Sequence, residues 1–154
     1  MIAVCGAANE TPEFNQLAEE VGLRLAQAGA VLICGGRGGV MAAACRGARA
    51  ADGLTIGIMP GDDRRAANPD VLVALATGMG NARNLVIVQS ADAVIAVGGE
   101  YGTLSEIALA RKIGRSVVSL RSWELGARDG APHVVLATTP AEAVELALQL
   151  ASER

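Results

Sequence analysis

Apolar residues in this chain fall into short continuous runs, separated by longer stretches in which apolar positions recur at helical spacing. The runs Ile2–Cys5, Ala30–Cys34, Leu54–Ile58, Val71–Leu75, Ala93–Val97, Ser116–Leu120 and His133–Leu136 predict strands. Helices are expected from Pro12 to about Ala28, Val40 to Ala50, Asn81 to Ser90, Thr103 to about Ile113, and from Pro140 onward. Thr11-Pro12-Glu13 supplies an N-cap, a proline at the first helical position and an acid in the first turn. Thr139-Pro140-Ala141-Glu142 repeats that pattern, with Glu142 placed to complete a capping box. Gly29 closes the first helix. Strands that are apolar throughout, rather than on alternate positions, are buried on both faces, which means a parallel sheet between two helical layers. The expected fold is therefore α/β: a single Rossmann-like, doubly wound domain spanning residues 1–154. The polar loop Pro60–Pro69, with Asp62, Asp63, Arg64 and Arg65, reads as a solvated connection.

Composition narrows the function. A chain of 154 residues with a net charge of -3 lacks the basic face of a nucleic-acid binder. Phe14, Tyr101 and Trp123 are its only aromatics, too few for a base-stacking platform. No apolar run is long enough to span a bilayer, and no segment has the form of a secretory leader, so a cytoplasmic location and no membrane partner are expected. Cys5, Cys34 and Cys45 show no metal-ligand or redox spacing, and Cys5 and Cys34, at the ends of the first two strands, read as small core residues. His133 has no partner ligands in the sequence. It is taken as structural, and no metal site is expected.

Candidate chemistry concentrates in two glycine-rich turns, Cys34-Gly35-Gly36-Arg37-Gly38-Gly39-Val40-Met41 and Val97-Gly98-Gly99-Glu100-Tyr101-Gly102-Thr103. Each follows an apolar strand and opens a helix, where unpaired amides and the helix dipole favour an anion. Both lie at carboxyl ends of strands, the rim where doubly wound sheets bind ligands. The dinucleotide fingerprint is missing after Cys5-Gly6-Ala7-Ala8-Asn9, and no glycine loop carries a Lys-Ser/Thr pair, so NAD and ATP chemistry are disfavoured. Thr103-Leu104-Ser105-Glu106 has two readings. It is a capping box in its own right, or its hydroxyl and amides hold a phosphate while Glu106, one turn in, faces the attached group and activates a water or stabilises a sugar cation. Arg83, in Thr77-Gly78-Met79-Gly80-Asn81-Ala82-Arg83-Asn84, opposes the dipole of the helix it opens, so it is either a surface arginine or a partner for phosphate or carboxylate. The Tyr101 ring is placed to cover a heterocycle, whereas Trp123 reads as packing.

Gly35 through Met41 with Gly47-Ala48, Thr55 through Gly61, Thr77 through Asn84, Ser90 through Gly99, and Gly98 through Glu106 together resemble the LOG-like superfamily, often mislabelled lysine decarboxylases. Within it the chain is most similar to the molybdenum cofactor carrier-like group. The resemblance covers essentially the whole chain. LOG enzymes are phosphoribohydrolases that cleave the N-glycosidic bond of nucleoside 5′-monophosphates. Their essential Arg and Glu would fall on Arg83 and Glu106, and their phosphate ligands on Gly99, Gly102 and Thr103. The chain departs from the P-G-G-x-G-T-x-x-E signature at Gly98 and Glu100, and has Asn84 where a Lys usually follows the essential Arg. Carrier-like members bind the phosphorylated pterin of the molybdenum cofactor.

Two functions follow as expectations. The favoured one is a binding protein for a phosphorylated heterocycle, with the molybdenum cofactor as bound ligand. Its ligand-binding residues would be Gly6, Gly35, Gly36, Gly39, Val40, Met41, Gly80, Gly98, Gly99, Tyr101, Gly102 and Thr103. The other is a phosphoribohydrolase that uses Arg83 and Glu106 and requires no cofactor. The resemblance also implies a homo-oligomer, a dimer or tetramer.

Overall fold

The computed structural model describes residues 1–126 and 134–153, and His133 lies outside them. Strands β1 (Ile2–Gly6), β2 (Leu32–Cys34), β3 (Thr55–Met59), β4 (Val73–Ala76), β5 (Ala93–Val97), β6 (Ser116–Leu120) and β7 (Val134–Ala137) form one sheet. Its order is β4-β3-β2-β1-β5-β6-β7, with every pairing parallel. Helices α1 (Pro12–Gln27), α2 (Val40–Ala50), α3 (Arg83–Ser90), α4 (Tyr101–Lys112) and α5 (Pro140–Ser152) complete the fold.

Burial on both faces explains the unbroken apolar runs. Ile2, Val4, Leu32, Cys34, Ala93, Ile95 and Val97 pack under α1, α2 and α5. Their neighbours Ala3, Cys5, Ile33, Val94 and Ala96 pack under α3 and α4. The chain winds from β1 through β4 in one direction and from β5 through β7 in the other, so the order reverses between β1 and β5. There Gly6 pairs with Val97, and the crevice above them is where ligands bind in sheets of this kind.

Three of the differences from expectation have a visible reason. The fourth strand starts at Val73 rather than Val71. The Thr55 hydroxyl donates to the Asp70 carbonyl and accepts from Leu72 N–H, which holds the strand's entrance out of the ladder. The fifth helix keeps the Thr139 hydroxyl on Glu142 N–H, but the Glu142 carboxylate accepts from Thr138, one residue before the cap. The fourth helix begins at Tyr101 with Glu100 in the cap position, so Thr103 and Glu106 do not form a capping box.

Helices α1 and α2 touch backbone to backbone. A β-carbon on Gly22 would lie 1.9 Å from the Ala44 carbonyl oxygen, and one on Gly47 would lie 1.8 Å from the Glu19 carbonyl oxygen. Only glycine permits this approach, which seats α2 and the turn before it firmly over the sheet. Gly47→Ala should therefore lower stability by about 2 kcal/mol despite alanine's better helix propensity. In a thermal melt that corresponds to a fall of roughly 5 °C, with Gly61→Ala, whose β-carbon meets nothing within 4 Å, as the neutral control. An unchanged melt for Gly47→Ala would contradict the close crossing.

Candidate functional site

The site is built on Arg83, the first residue of α3, which is only 7% exposed. A short 3₁₀ turn, Gly80–Ala82, delivers the chain to this point. The guanidinium lies flat on the β2–α2 turn, because a β-carbon on Gly35 would sit 2.4 Å from its Nη1. Its one acidic neighbour among the described residues is Glu106, with Oε1 3.9 Å from Nη1. That is long for a charge-assisted hydrogen bond. The Arg83 Nε is buried and has no hydrogen-bond partner.

Glu106 is 6% exposed and lies one turn into α4. Burial pushes its carboxyl up to about 7, and the Arg83 charge with a contact to the Cys5 thiol pulls it back only in part. Burial also works against the Arg83 charge, which Glu106 in turn supports. The Cys5 thiol is held well above its ordinary pKa, chiefly by burial, and is an inert wall rather than a nucleophile. Asn84 donates to the Ser105 hydroxyl at 3.0 Å, and that hydroxyl donates to the Gly102 carbonyl at 2.7 Å. This bridge fixes the start of α3 to the start of α4.

Between these elements lies a cavity of about 180 Å³. Gly6, Ala7 and Ala8 line one side, and Arg37 and Met41 come from the α2 side. Asn81, Arg83 and Asn84 come from α3 and its lead-in, while Glu100, Gly102, Thr103 and Glu106 come from α4 and its cap. The first hydrogen bond of α4 is Leu104 N–H to the Glu100 carbonyl, so the amides of Gly102 and Thr103 precede the helical ladder. A hollow of about 480 Å³ between α1 and α2 is larger, but its Arg46 and Glu19 already pair at 2.7 Å.

Of the residues marked in the sequence, Gly6, Met41, Arg83, Gly102, Thr103 and Glu106 meet at the cavity. Gly35 stands directly behind Arg83. Gly36 packs on the Met59 sulfur, and its carbonyl accepts from Asn68 N–H. Of the first-turn amides expected to hold a phosphate, three are taken: Gly36 N–H by the Cys34 sulfur at 3.3 Å, Gly39 N–H by the Glu10 carboxylate at 3.3 Å, and Val40 N–H by the Ala7 carbonyl at 3.0 Å. Gly80 is exposed, with its N–H on the Pro60 carbonyl. Gly98 and Gly99 line a different hollow, of about 370 Å³, beside Phe14 and Trp123. Tyr101 is 80% exposed, its ring centroid 5.9 Å from that of Trp123.

Ala7, Ala8, Arg37 and Asn81 line the cavity without having been singled out. Arg37 and Asn81 were legible only as polar residues inside glycine-rich segments, and the two alanines carry no signal in their side chains. Glu100 and Asn84 stood out only as departures from a family pattern. The Cys34 and Cys45 sulfurs touch at 3.6 Å beneath the sheet, in the core. No helix among the described residues is long and apolar enough to cross a membrane.

Comparison with known proteins agrees with this architecture. A molybdenum cofactor binding protein from Rippkaea orientalis superposes with a TM-score of 0.88 at 38% identity, over 97% of this chain and 95% of that one. The Moco carrier protein of Chlamydomonas reinhardtii gives a TM-score of 0.87 at 34% identity, over 99% and 98%. An uncharacterized protein of Archaeoglobus fulgidus is 47% identical over 120 residues, 78% of this chain and 79% of its own length. The SLOG cluster4 family matches residues 1–147. With the family match over most of its length and the fold in agreement, the chain belongs to the SLOG cluster4 family, within the LOG-like superfamily.

Proposed function

We propose that this protein binds and carries a phosphorylated heterocycle, and that the phosphorylated pterin of the molybdenum cofactor is its ligand. The observation that carries this reading is Arg83: a buried cation with an unpartnered Nε and a single long contact to a carboxyl that is half neutral near pH 7. A buried charge left without partners is strongly unfavourable, and an anion entering the cavity relieves it. Gly102 and Thr103, at the start of α4, line the same cavity, so a phosphate there would meet a cation and a helix N-terminus together. The similarity to molybdenum cofactor binding and carrier proteins supports this choice of ligand. Self-association, implied by the family resemblance, has support in Leu72, Val73 and Leu75, which lie exposed along the β4 edge.

A second reading, hydrolysis of a nucleoside 5′-monophosphate, has one observation in its favour. A carboxyl poised near neutrality beside an arginine is suited to acid–base work. Incubation with AMP decides between the two. Release of adenine that Glu106→Gln abolishes would make the protein a hydrolase, and intact AMP leaves the carrier.

Arg83→Gln should weaken ribose 5-phosphate binding roughly 30-fold in calorimetry, the scale of a lost charge-assisted contact. Native protein from a molybdenum-replete host should release a fluorescent pterin on mild oxidation, and the variant should not. Equal phosphate affinity in both proteins, with no pterin from either, would overturn the proposal.

The pH dependence has a definite sign. Below about 7 Glu106 is protonated and the Arg83 charge faces the cavity uncompensated; above it, the carboxylate claims that charge. Sulfate, whose own charge is constant across this window, should bind progressively more weakly between about pH 6 and pH 8. Glu106→Gln should flatten that dependence, and a native profile equally flat would refute the coupling.

A further inference from the structure

The anion cavity, about 180 Å³, is smaller than the roughly 300 Å³ at which sites for whole small molecules begin. Most of a heterocyclic ligand must therefore lie outside it, across the mouth. Glu100 stands at that mouth, exposed, with a negative charge beside a site that collects anions. Its carboxylate accepts a single long hydrogen bond, from the Asn9 side-chain amide at 3.5 Å. Its backbone is anchored, because the Trp123 indole N–H donates to the Glu100 carbonyl at 3.2 Å. A carboxylate here disfavours the phosphate unless it serves the other end of the ligand.

The next residue, outside the cavity lining, supplies an exposed surface beyond it. Tyr101 is 80% exposed, and Trp123 backs it at 5.9 Å with a 37° tilt between the rings. Phe14, the remaining aromatic of the chain, lies against Gly98 in the same turn. A ring left in solvent but braced by a second ring is a stacking platform for a planar group. A carboxylate beside it offers two acceptor oxygens to two adjacent N–H donors.

We infer that Glu100 reads the paired N–H donors of a 2-amino-4-oxopyrimidine ring, the edge common to guanine and pterins, while that ring lies on Tyr101 and the ligand's phosphate sits at Arg83. The inference rests on the carrier reading and adds its selectivity: the anion is held inside, and the base is chosen at the rim.

Trp123 is the sole tryptophan, so its emission reports occupancy of the platform, while calorimetry reports binding of ribose 5-phosphate. Guanosine 5′-monophosphate should quench Trp123 and bind roughly tenfold more tightly than inosine 5′-monophosphate, which lacks the exocyclic amine. Glu100→Gln should bring that ratio close to one. Equal affinities in the native protein, or a ratio unchanged in the variant, would overturn the role of Glu100, while binding of ribose 5-phosphate would leave the carrier reading standing. Failure of ribose 5-phosphate to bind, with the guanine preference intact, would instead remove the phosphate half and keep the rim. A stronger response to neopterin monophosphate than to guanosine 5′-monophosphate assigns the edge to a pterin, and the reverse order to a guanine nucleotide; both support the recognition of the donor edge.

Discussion

A guanidinium cannot be buried without a group to answer its charge, and in this molecule the answer is left incomplete. Arg83 is nearly buried, with the glycine turn behind it and the cavity before it, yet Glu106 stands 3.9 Å away and Nε has no partner. The rest of the site follows from that tension. Gly35 must lack a side chain so that the guanidinium can lie down. Asn84 and Ser105 must tie α3 to α4 so that the charge stays in place. Glu106 must be buried enough to surrender its own charge, because a full ion pair would leave nothing for a ligand to complete.

The sheet makes this arrangement possible. Its order reverses between β1 and β5, so the chain leaves those neighbouring strands toward opposite faces and a crevice opens above them. The two glycine turns flank the crevice but have different duties. At the first, Glu10 and Ala7 occupy the amides of Gly39 and Val40, which makes the turn a rigid wall locked to the β1 loop. At the second, the amides of Gly102 and Thr103 precede the ladder of α4, and both residues line the cavity. A rigid wall opposite a helix start suits holding a ligand more than reshaping it, which is consistent with carriage.

Much of the fold was legible because local signals and tertiary demands agreed. The limits of β5, β6 and α2 follow directly from apolar runs and glycine punctuation, since these elements are buried and nothing competes with their pattern. Pro12 and Pro140 mark helix starts because the ring fixes the backbone before any packing occurs. Where side chains compete for backbone groups, the boundaries moved. Thr55 displaced the start of β4, and Thr138 took the carboxylate meant for the cap of α5.

Taken alone, the sequence determined a parallel α/β sheet with the two glycine turns on one rim, because periodicity and turn punctuation are properties of the chain itself, while Arg83 and Glu106 were marked as a pair only by the resemblance to the LOG-like superfamily. The tertiary structure decided that Glu10 and Ala7 occupy amides of the first turn, that Gly98 and Gly99 face a separate hollow, and that Glu100 lines the cavity while the Tyr101 ring lies against Trp123. Those outcomes depend on groups distant along the chain, such as Glu10, Phe14 and Trp123, arriving at the same place. A hydrogen bond is claimed by whichever partner folding brings nearest, and no local pattern records that contest.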